Sequence, residues 1–118
     1  MIVYEVNLAV DAEAAEAYAA WLRGHVPEVL ACDGFEAAAW WAVENDAPGD
    51  PARAGQAPRV RWCVQYRVRD RAALEAYFAG PAARLRADGL ARFAGRFEAT
   101  RRVLALEAAF AAPHPTRR

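Results

Sequence analysis

The stretch Asp11–Ala19 (DAEAAEAYA) resembles the later stretch Asp70–Phe78 (DRAALEAYF), and in both a Glu-Ala-Tyr string follows the aspartate at the same distance. Each stretch follows a strand pattern, Ile2–Val10 or Arg59–Val68, with apolar residues at alternate positions. The order strand, helix, strand therefore occurs twice in a short chain. We predict one α+β domain with the ferredoxin-like order βαββαβ, a four-stranded antiparallel sheet with two helices on one face.

Two further strands complete the predicted sheet. Phe35–Val43 is apolar at odd and even positions alike, which indicates a strand that is covered on both faces. Phe97–Leu106 is the predicted fourth strand. The segment Glu44–Pro58 is rich in proline and glycine, which predicts a mobile loop. The domain then covers residues 1–107, and residues 108–118 form a flexible C-terminal tail.

Aspartate, proline and glycine set the predicted helix ends. We expect Asp11 and Asp70 to cap the two helices through their side chains. Pro27 disfavours helical backbone at Val26, so we expect a separate turn to begin at Pro27-Glu28. Gly80-Pro81 is expected to interrupt the second helix, and Gly89 to end its continuation.

Composition excludes several kinds of chemistry. All 15 basic residues of the 118-residue chain are arginine, and serine is absent too, so neither a lysine Schiff base nor a serine nucleophile is available. Two cysteines outside any CxxC motif and two histidines do not supply a usual zinc site, and we expect no metal and no other cofactor. The net charge of +0 disfavours nucleic acid and membrane surfaces as partners. Without a recognisable signal peptide or membrane span, the expected location is cytoplasmic.

The second face of the sheet carries the polar candidates. Both helices of this fold lie on one face, and alternation assigns to the open face Glu5, Asn7, Cys63, Gln65 and Arg67, with Trp40 or Trp41 at one edge. Aromatic and polar groups together suit a second copy packed sheet to sheet, so we expect a homodimer. Four of these groups should form one cluster, which either grips a small polar or anionic ligand or sets the register of the dimer: Glu5, Asn7, Gln65 and Arg67.

Histidine, arginine and cysteine supply the other candidates. His25 is the only histidine outside the tail, so it is the candidate acid or base. The alternative, which we favour, is a structural ring that ends the apolar face of the first helix and hydrogen-bonds locally. Arg101-Arg102 offers an anion site or, more commonly, one exposed arginine and one ion pair. Cys32 and Cys63 are expected to be structural thiols.

Several strings of the sequence resemble one small bacterial family. They are Tyr4-Glu5-Val6, HVPEVLA at 25–31, CVQY at 63–66, RLRADGL at 84–90 and FEATRRVL at 97–104. In order and spacing they are similar to domain-of-unknown-function family 4286 over about residues 1–107. The resemblance implies a ferredoxin-like fold of the dimeric α/β-barrel type, but it does not indicate which activity, if any, the family has. Two strings of that family differ here, at Pro81-Ala82-Ala83, where it has His-Ala-Pro, and at Ala31–Gly34, where it has Ala-Thr-Gly.

Two functions remain open. The first is a non-catalytic binding or interaction domain that forms a sheet-to-sheet homodimer, which the lack of a dedicated nucleophile or metal set favours. The second is a cofactor-independent small-molecule enzyme of the dimeric α/β-barrel type, such as an isomerase, decarboxylase or monooxygenase. In the second, His25 or a carboxylate of the sheet face would move a proton, and Arg67 would hold an anionic group.

Overall fold

A computed structural model describes residues 1–44 and 58–114. Its four strands form one antiparallel sheet in the order β2-β3-β1-β4, which confirms the predicted fold class. No helix in these ranges is long and apolar enough to cross a membrane. The elements in chain order are β1 (Ile2–Asp11), α1 (Ala15–Leu30), β2 (Phe35–Ala42), β3 (Arg59–Val68), α2 (Arg71–Ala79), α3 (Pro81–Phe93) and β4 (Phe97–Ala105).

The core lies between the helices and one face of the sheet. Alternate side chains of the central strands β1 and β3 point into it, as their apolar periodicity predicts. Aromatic rings fill much of this layer, since the 31 alanines of the chain bury little area each. The largest fully buried side chains are Tyr4, Leu74, Val10, Val29, Val64 and Val68.

One of the two predicted helix caps is present. The Asp70 carboxylate accepts a hydrogen bond from the backbone N–H of Ala73 at 2.9 Å and begins α2. Asp11 does not cap α1, because its carboxylate accepts a hydrogen bond from Nε of Arg59 at 3.2 Å. A single 3-10 turn at Ala12–Ala14 leads into α1 instead.

Two predicted helix ends are wrong, whereas the break at Gly80-Pro81 is confirmed. Helix α1 continues through Pro27 to Leu30. The fixed φ of proline suits a helix, although Pro27 removes one helical hydrogen bond and its ring crowds the carbonyl four residues earlier. Helix α3 continues through Gly89 to Phe93. Gly89 lies inside this helix against the Trp21 ring, so its missing side chain allows close packing and does not form a turn.

A β-bulge reverses the faces of β2. Phe35 pairs with Val68, but Ala37 pairs with Arg67, so one extra residue lies between them and the alternation shifts. Trp40 therefore lies on the helix side, where the guanidinium of Arg23 sits 5.1 Å from the centre of its ring. The prediction of Trp40 on the open face is wrong.

Two predicted flexible segments fall largely outside this description. Of the predicted loop Glu44–Pro58, residues 45–57 lie outside the described residues. After β4, the chain continues to residue 114 without a helix or a strand, and the side chains of this segment are exposed. Residues 115–118 also lie outside the described part, so the flexible tail stays a prediction.

Candidate functional site

Glu5 lies at the centre of the open sheet face and is only 3% exposed. Asn7 Nδ2 donates a hydrogen bond to Glu5 Oε2 at 3.0 Å, and Gln65 Nε2 donates one to Oε1 at 2.9 Å. Arg102, opposite Glu5 on β4, forms an ion pair with Oε2. Three of the four predicted members thus meet, and Arg102 completes the group. Contrary to the prediction, Arg67 lies on this face but pairs separately with Glu36 at 3.7 Å.

The hydrogen bonds of this group decide its ionisation. Burial by itself would raise the pKa of Glu5, but hydrogen bonds from Arg102, Asn7 and Gln65 outweigh burial and lower the pKa to about 2. Burial and the neighbouring Glu5 carboxylate raise the pKa of Cys63 to about 11, so this thiol is protonated at neutral pH. Both Glu5 oxygens accept bonds from the protein itself, which favours a role in joining strands over a role in gripping a ligand.

A second site lies on the opposite side of the sheet, between the central strands, β4 and helices α1 and α3. This helix–sheet cleft has a cavity volume of about 50 Å³ and is partly open to solvent. Aliphatic and aromatic side chains form most of its wall, including Val6, Leu22 and Phe97. Its strongly polar side chains are His25, Arg86 and Arg101, and no aspartate or glutamate is among the described residues that line it.

Trp21 supports His25 at the wall of the cleft. The two rings stack with centroids 4.4 Å apart and planes 19° from parallel. Trp21 Nε1 donates a hydrogen bond to Asp88 Oδ2 at 2.9 Å, which ties the indole to α3. Gly89 makes room for the indole, because a Cβ at that position would lie 2.6 Å from Trp21 Cη2. His25 is thus a packed ring that also faces a cleft, and the two interpretations of it from the sequence meet in one residue.

The surroundings of His25 favour the neutral imidazole. Burial lowers its pKa, and the positive charges of Arg86 and Arg101 lower it further. The Glu28 carboxylate and a hydrogen bond to the backbone of Leu85 act in the opposite direction without reversing the shift. A neutral imidazole keeps one ring nitrogen without a hydrogen, so His25 can accept a proton.

Four tyrosines also line the cleft. Arg86 Nη2 donates a hydrogen bond to the hydroxyl of Tyr4 at 2.8 Å. Burial raises the pKa of Tyr18 and of Tyr77 to about 12, and it raises the pKa of Tyr66 as well, although the charge of Arg101 opposes all three shifts. The hydroxyls of Tyr18, Tyr66 and Tyr77 are therefore neutral near pH 7 and can donate hydrogen bonds to a ligand.

Sequence reasoning did not single out Arg86 or the cleft. Tyr4 and Arg86 are 82 positions apart and meet only after α3 packs on the sheet. Arg101 was one of the two arginines considered for an anion site, and it lies in the cleft, whereas Arg102 makes the ion pair. Within residues 1–44 and 58–114, no group of three or more His, Cys, Asp or Glu side chains could hold a metal ion.

Solved structures of similar fold include proteins with described activities. One from Deinococcus radiodurans, with the proposed activity of an antibiotic biosynthesis monooxygenase, is 14% identical, with a TM-score of 0.65 over 97% of this chain and 100% of that chain. A point mutant of SnoaB, a cofactor-independent oxygenase from Streptomyces nogalater, is 13% identical, with a TM-score of 0.60 over 96% and 98%. Rv0793 from Mycobacterium tuberculosis is 19% identical, with a TM-score of 0.60 over 94% and 100%.

Identities this low establish a shared fold and leave activity open. A comparison with curated proteins gives no match. The model of the family described as a domain of unknown function, DUF4286, matches residues 1–107, which are most of the chain and include both candidate sites. The chain belongs to the DUF4286 family.

Proposed function

We propose that the helix–sheet cleft binds a small, flat organic molecule and that His25 removes a proton from it. The observation that carries this proposal is a neutral imidazole, fixed against Trp21, at the wall of an apolar cleft. Of the two functions that the sequence leaves open, this is the cofactor-independent enzyme. The similar fold of SnoaB, described as a cofactor-independent oxygenase, supports it by analogy alone.

The geometry supplies the parts that proton transfer needs. A base must be unprotonated to accept a proton, and the lowered pKa keeps His25 in that form at neutral pH. The stack on Trp21 fixes the ring orientation, and the apolar wall strengthens electrostatic interactions by excluding water. A positioned general base of this kind accelerates proton transfer by about 10²- to 10⁴-fold.

The base can be tested without knowing the natural substrate. The probe is 5-nitrobenzisoxazole, a flat aromatic molecule. When a base removes its carbon-bound proton, the N–O bond breaks to give a nitrile and a coloured phenolate. We expect the protein to accelerate this elimination, with a rate that rises with pH as His25 loses its proton and then levels off.

Two histidine variants decide the test. His25→Gln keeps most of the side-chain volume and should reduce the rate by at least about 10²-fold. His114→Gln changes the other histidine, which lies in the exposed segment after β4, and should leave the rate unchanged. A folded His25→Gln variant that keeps the full rate would contradict the proposal.

We also propose that a second copy covers the open sheet face, as the sequence predicts. Trp41, which pairs with Cys63, is 56% exposed on this face, close to the fully hydrogen-bonded Glu5 group. An exposed indole of this size is typical of an association surface. The interface and the cleft lie on opposite faces of the sheet, so both proposals hold together.

A further inference from the structure

Two arginines face the helix–sheet cleft from different elements. Arg86 extends from α3 and Arg101 from β4, where Arg101 pairs with Val6, a cleft residue of β1. Neither guanidinium forms an ion pair with a carboxylate in the part of the chain that the structure describes. An arginine without a carboxylate is ordinary on an open surface, but two beside one apolar cleft concentrate positive charge where a ligand would enter.

Arg86 is held in place for such a ligand. It is half-buried, and its Nη2 donates a hydrogen bond at 2.8 Å to the hydroxyl of Tyr4, which is itself buried. A guanidinium has five N–H donors in a rigid fork, so this one bond leaves others for a ligand. Because the Tyr4 hydroxyl already restricts the side chain, a ligand would lose less side-chain entropy on binding.

The charge of Arg101 reaches across the cleft. Burial is the main cause of the pKa shifts of the titratable groups in the cleft, and the charge of Arg101 adds to the lowering at His25 and opposes the rise at Tyr18, Tyr66 and Tyr77. The three tyrosines line the cleft and add neutral donors beside its positive charge.

We propose that Arg86 and Arg101 hold the acidic oxygens of the bound molecule, so that the ligand class is aromatic carboxylates. The ring of the ligand would lie against the apolar wall, and Leu90, which is 54% exposed at the cleft, would cover part of it. Charge-assisted hydrogen bonds from guanidinium groups compensate the desolvation of a carboxylate, whereas a neutral ligand gains only the apolar contact. This inference rests on the proposed function in taking the cleft as the binding site, but it does not require His25 to act as a base.

Two probes of equal shape test this selectivity. 2-Naphthoate carries the carboxylate, and 2-naphthamide replaces it with a neutral amide. We expect calorimetry near neutral pH to give at least about tenfold tighter binding of 2-naphthoate, with a preference that decreases as salt is added. Equal affinity for the two probes, or no binding of either, would overturn the inference.

Three arginine variants assign the preference to residues. Arg86→Gln and Arg101→Gln should each weaken 2-naphthoate binding about tenfold and leave 2-naphthamide binding unchanged. Arg84→Gln is the matched control, because Arg84 is an exposed arginine of the same helix that does not line the cleft. Unchanged 2-naphthoate binding by both cleft variants would overturn the inference, and retained 2-naphthamide binding shows that the variants are folded.

The experiments can reject the anion site and the proposed base independently of each other. His25→Gln should keep the preference for 2-naphthoate, since the two arginines remain. If the preference is present but the elimination does not depend on His25, the proposed base is wrong and the anion site stands. If the elimination depends on His25 but 2-naphthoate has no advantage over 2-naphthamide, the anion site is wrong and the base stands.

Discussion

Glu5 and Arg102 lie opposite each other on β1 and β4 and form an ion pair on the open face of the sheet. The carboxylate is buried, whereas the guanidinium is largely exposed, so the two partners differ in what they lose when the pair is broken. A buried carboxylate without its donors would be strongly destabilising, whereas Arg102 alone would stay hydrated. The pair and its two amide donors therefore join three strands through one buried charge.

Glu5→Gln should lower the free energy of unfolding by roughly 1–3 kcal/mol at pH 7, because it replaces charge-assisted hydrogen bonds with neutral ones. Denaturant titration followed by circular dichroism measures this difference. Glu75→Gln, at an exposed position of α2, is the matched control and should change stability by less than about 0.5 kcal/mol. Equal stability of the two variants would contradict the assigned role of Glu5.

The same carboxylate predicts a pH dependence at low pH. The folded-state pKa of Glu5, about 2, lies below its usual value of 4.5, so its ionisation stabilises the fold above pH 4.5. This contribution, about 3 kcal/mol, is lost as the pH falls from 4.5 towards 2. Unfolding free energies across this range should fall less steeply in Glu5→Gln, and parallel curves for the two proteins would contradict the assignment.

His25 predicts a second pH dependence in a higher window. Its folded-state pKa is lowered from 6.5, so the neutral ring contributes its full stability above pH 6.5, and this contribution falls as the pH drops below that value. His25→Gln should remove this part of the dependence. A titration of the His25 ring by NMR checks the direction independently, and a midpoint above 6.5 would contradict it.

Gly89→Ala and Gly24→Ala form a matched pair of helix substitutions. At position 24, a Cβ meets nothing within 4 Å, so alanine should stabilise α1 by about 0.5–1 kcal/mol. At position 89, the new Cβ would lie 2.6 Å from Trp21, whose indole is fixed by its bond to Asp88 and its stack on His25. Overpacking there should cost about 1–3 kcal/mol in spite of the gain in helix propensity.

Thermal unfolding measures both glycine variants, and the NMR signals of the His25 ring report any displacement of Trp21. Gly89→Ala should shift those signals, whereas Gly24→Ala should leave them in place. Stabilisation by Gly89→Ala would show that the indole moves aside freely and does not hold His25.

Period-two alternation placed Glu5, Asn7 and Gln65 on one face of the sheet because β1 and β3 pair without interruption. The same alternation failed for Trp40, since the bulge after Phe35 moves every later side chain of β2 to the other face. Nothing in the local composition of β2 marks that extra residue. Register within regular strands is therefore predictable from sequence, whereas an inserted residue is set by the tertiary pairing of the strand.

The cleft was beyond sequence reasoning for a related reason. Its polar wall joins residues of α1, α3 and β4, and contacts such as the bond between Tyr4 and Arg86 depend on how α3 packs. Gly89 was expected to end a helix, because its local preference gives no sign of the Trp21 ring that occupies the space beside it. Local propensities predict the elements, and long-range packing decides what meets between them.

Substitutions on the open sheet face test the proposed homodimer. Trp41→Asp and Ala39→Asp, at a position that pairs with Gln65 on the same face, each place a charge where a second copy would have to desolvate it, which should weaken association by several kcal/mol. Sedimentation analysis over a range of protein concentrations should show a dimer for the unchanged protein and a monomer for both variants. Phe110→Asp is the matched control, because Phe110 is 94% exposed but lies beyond β4 and outside the sheet. A monomeric unchanged protein, or a dimer that survives both sheet-face substitutions, would show that this face is not the interface.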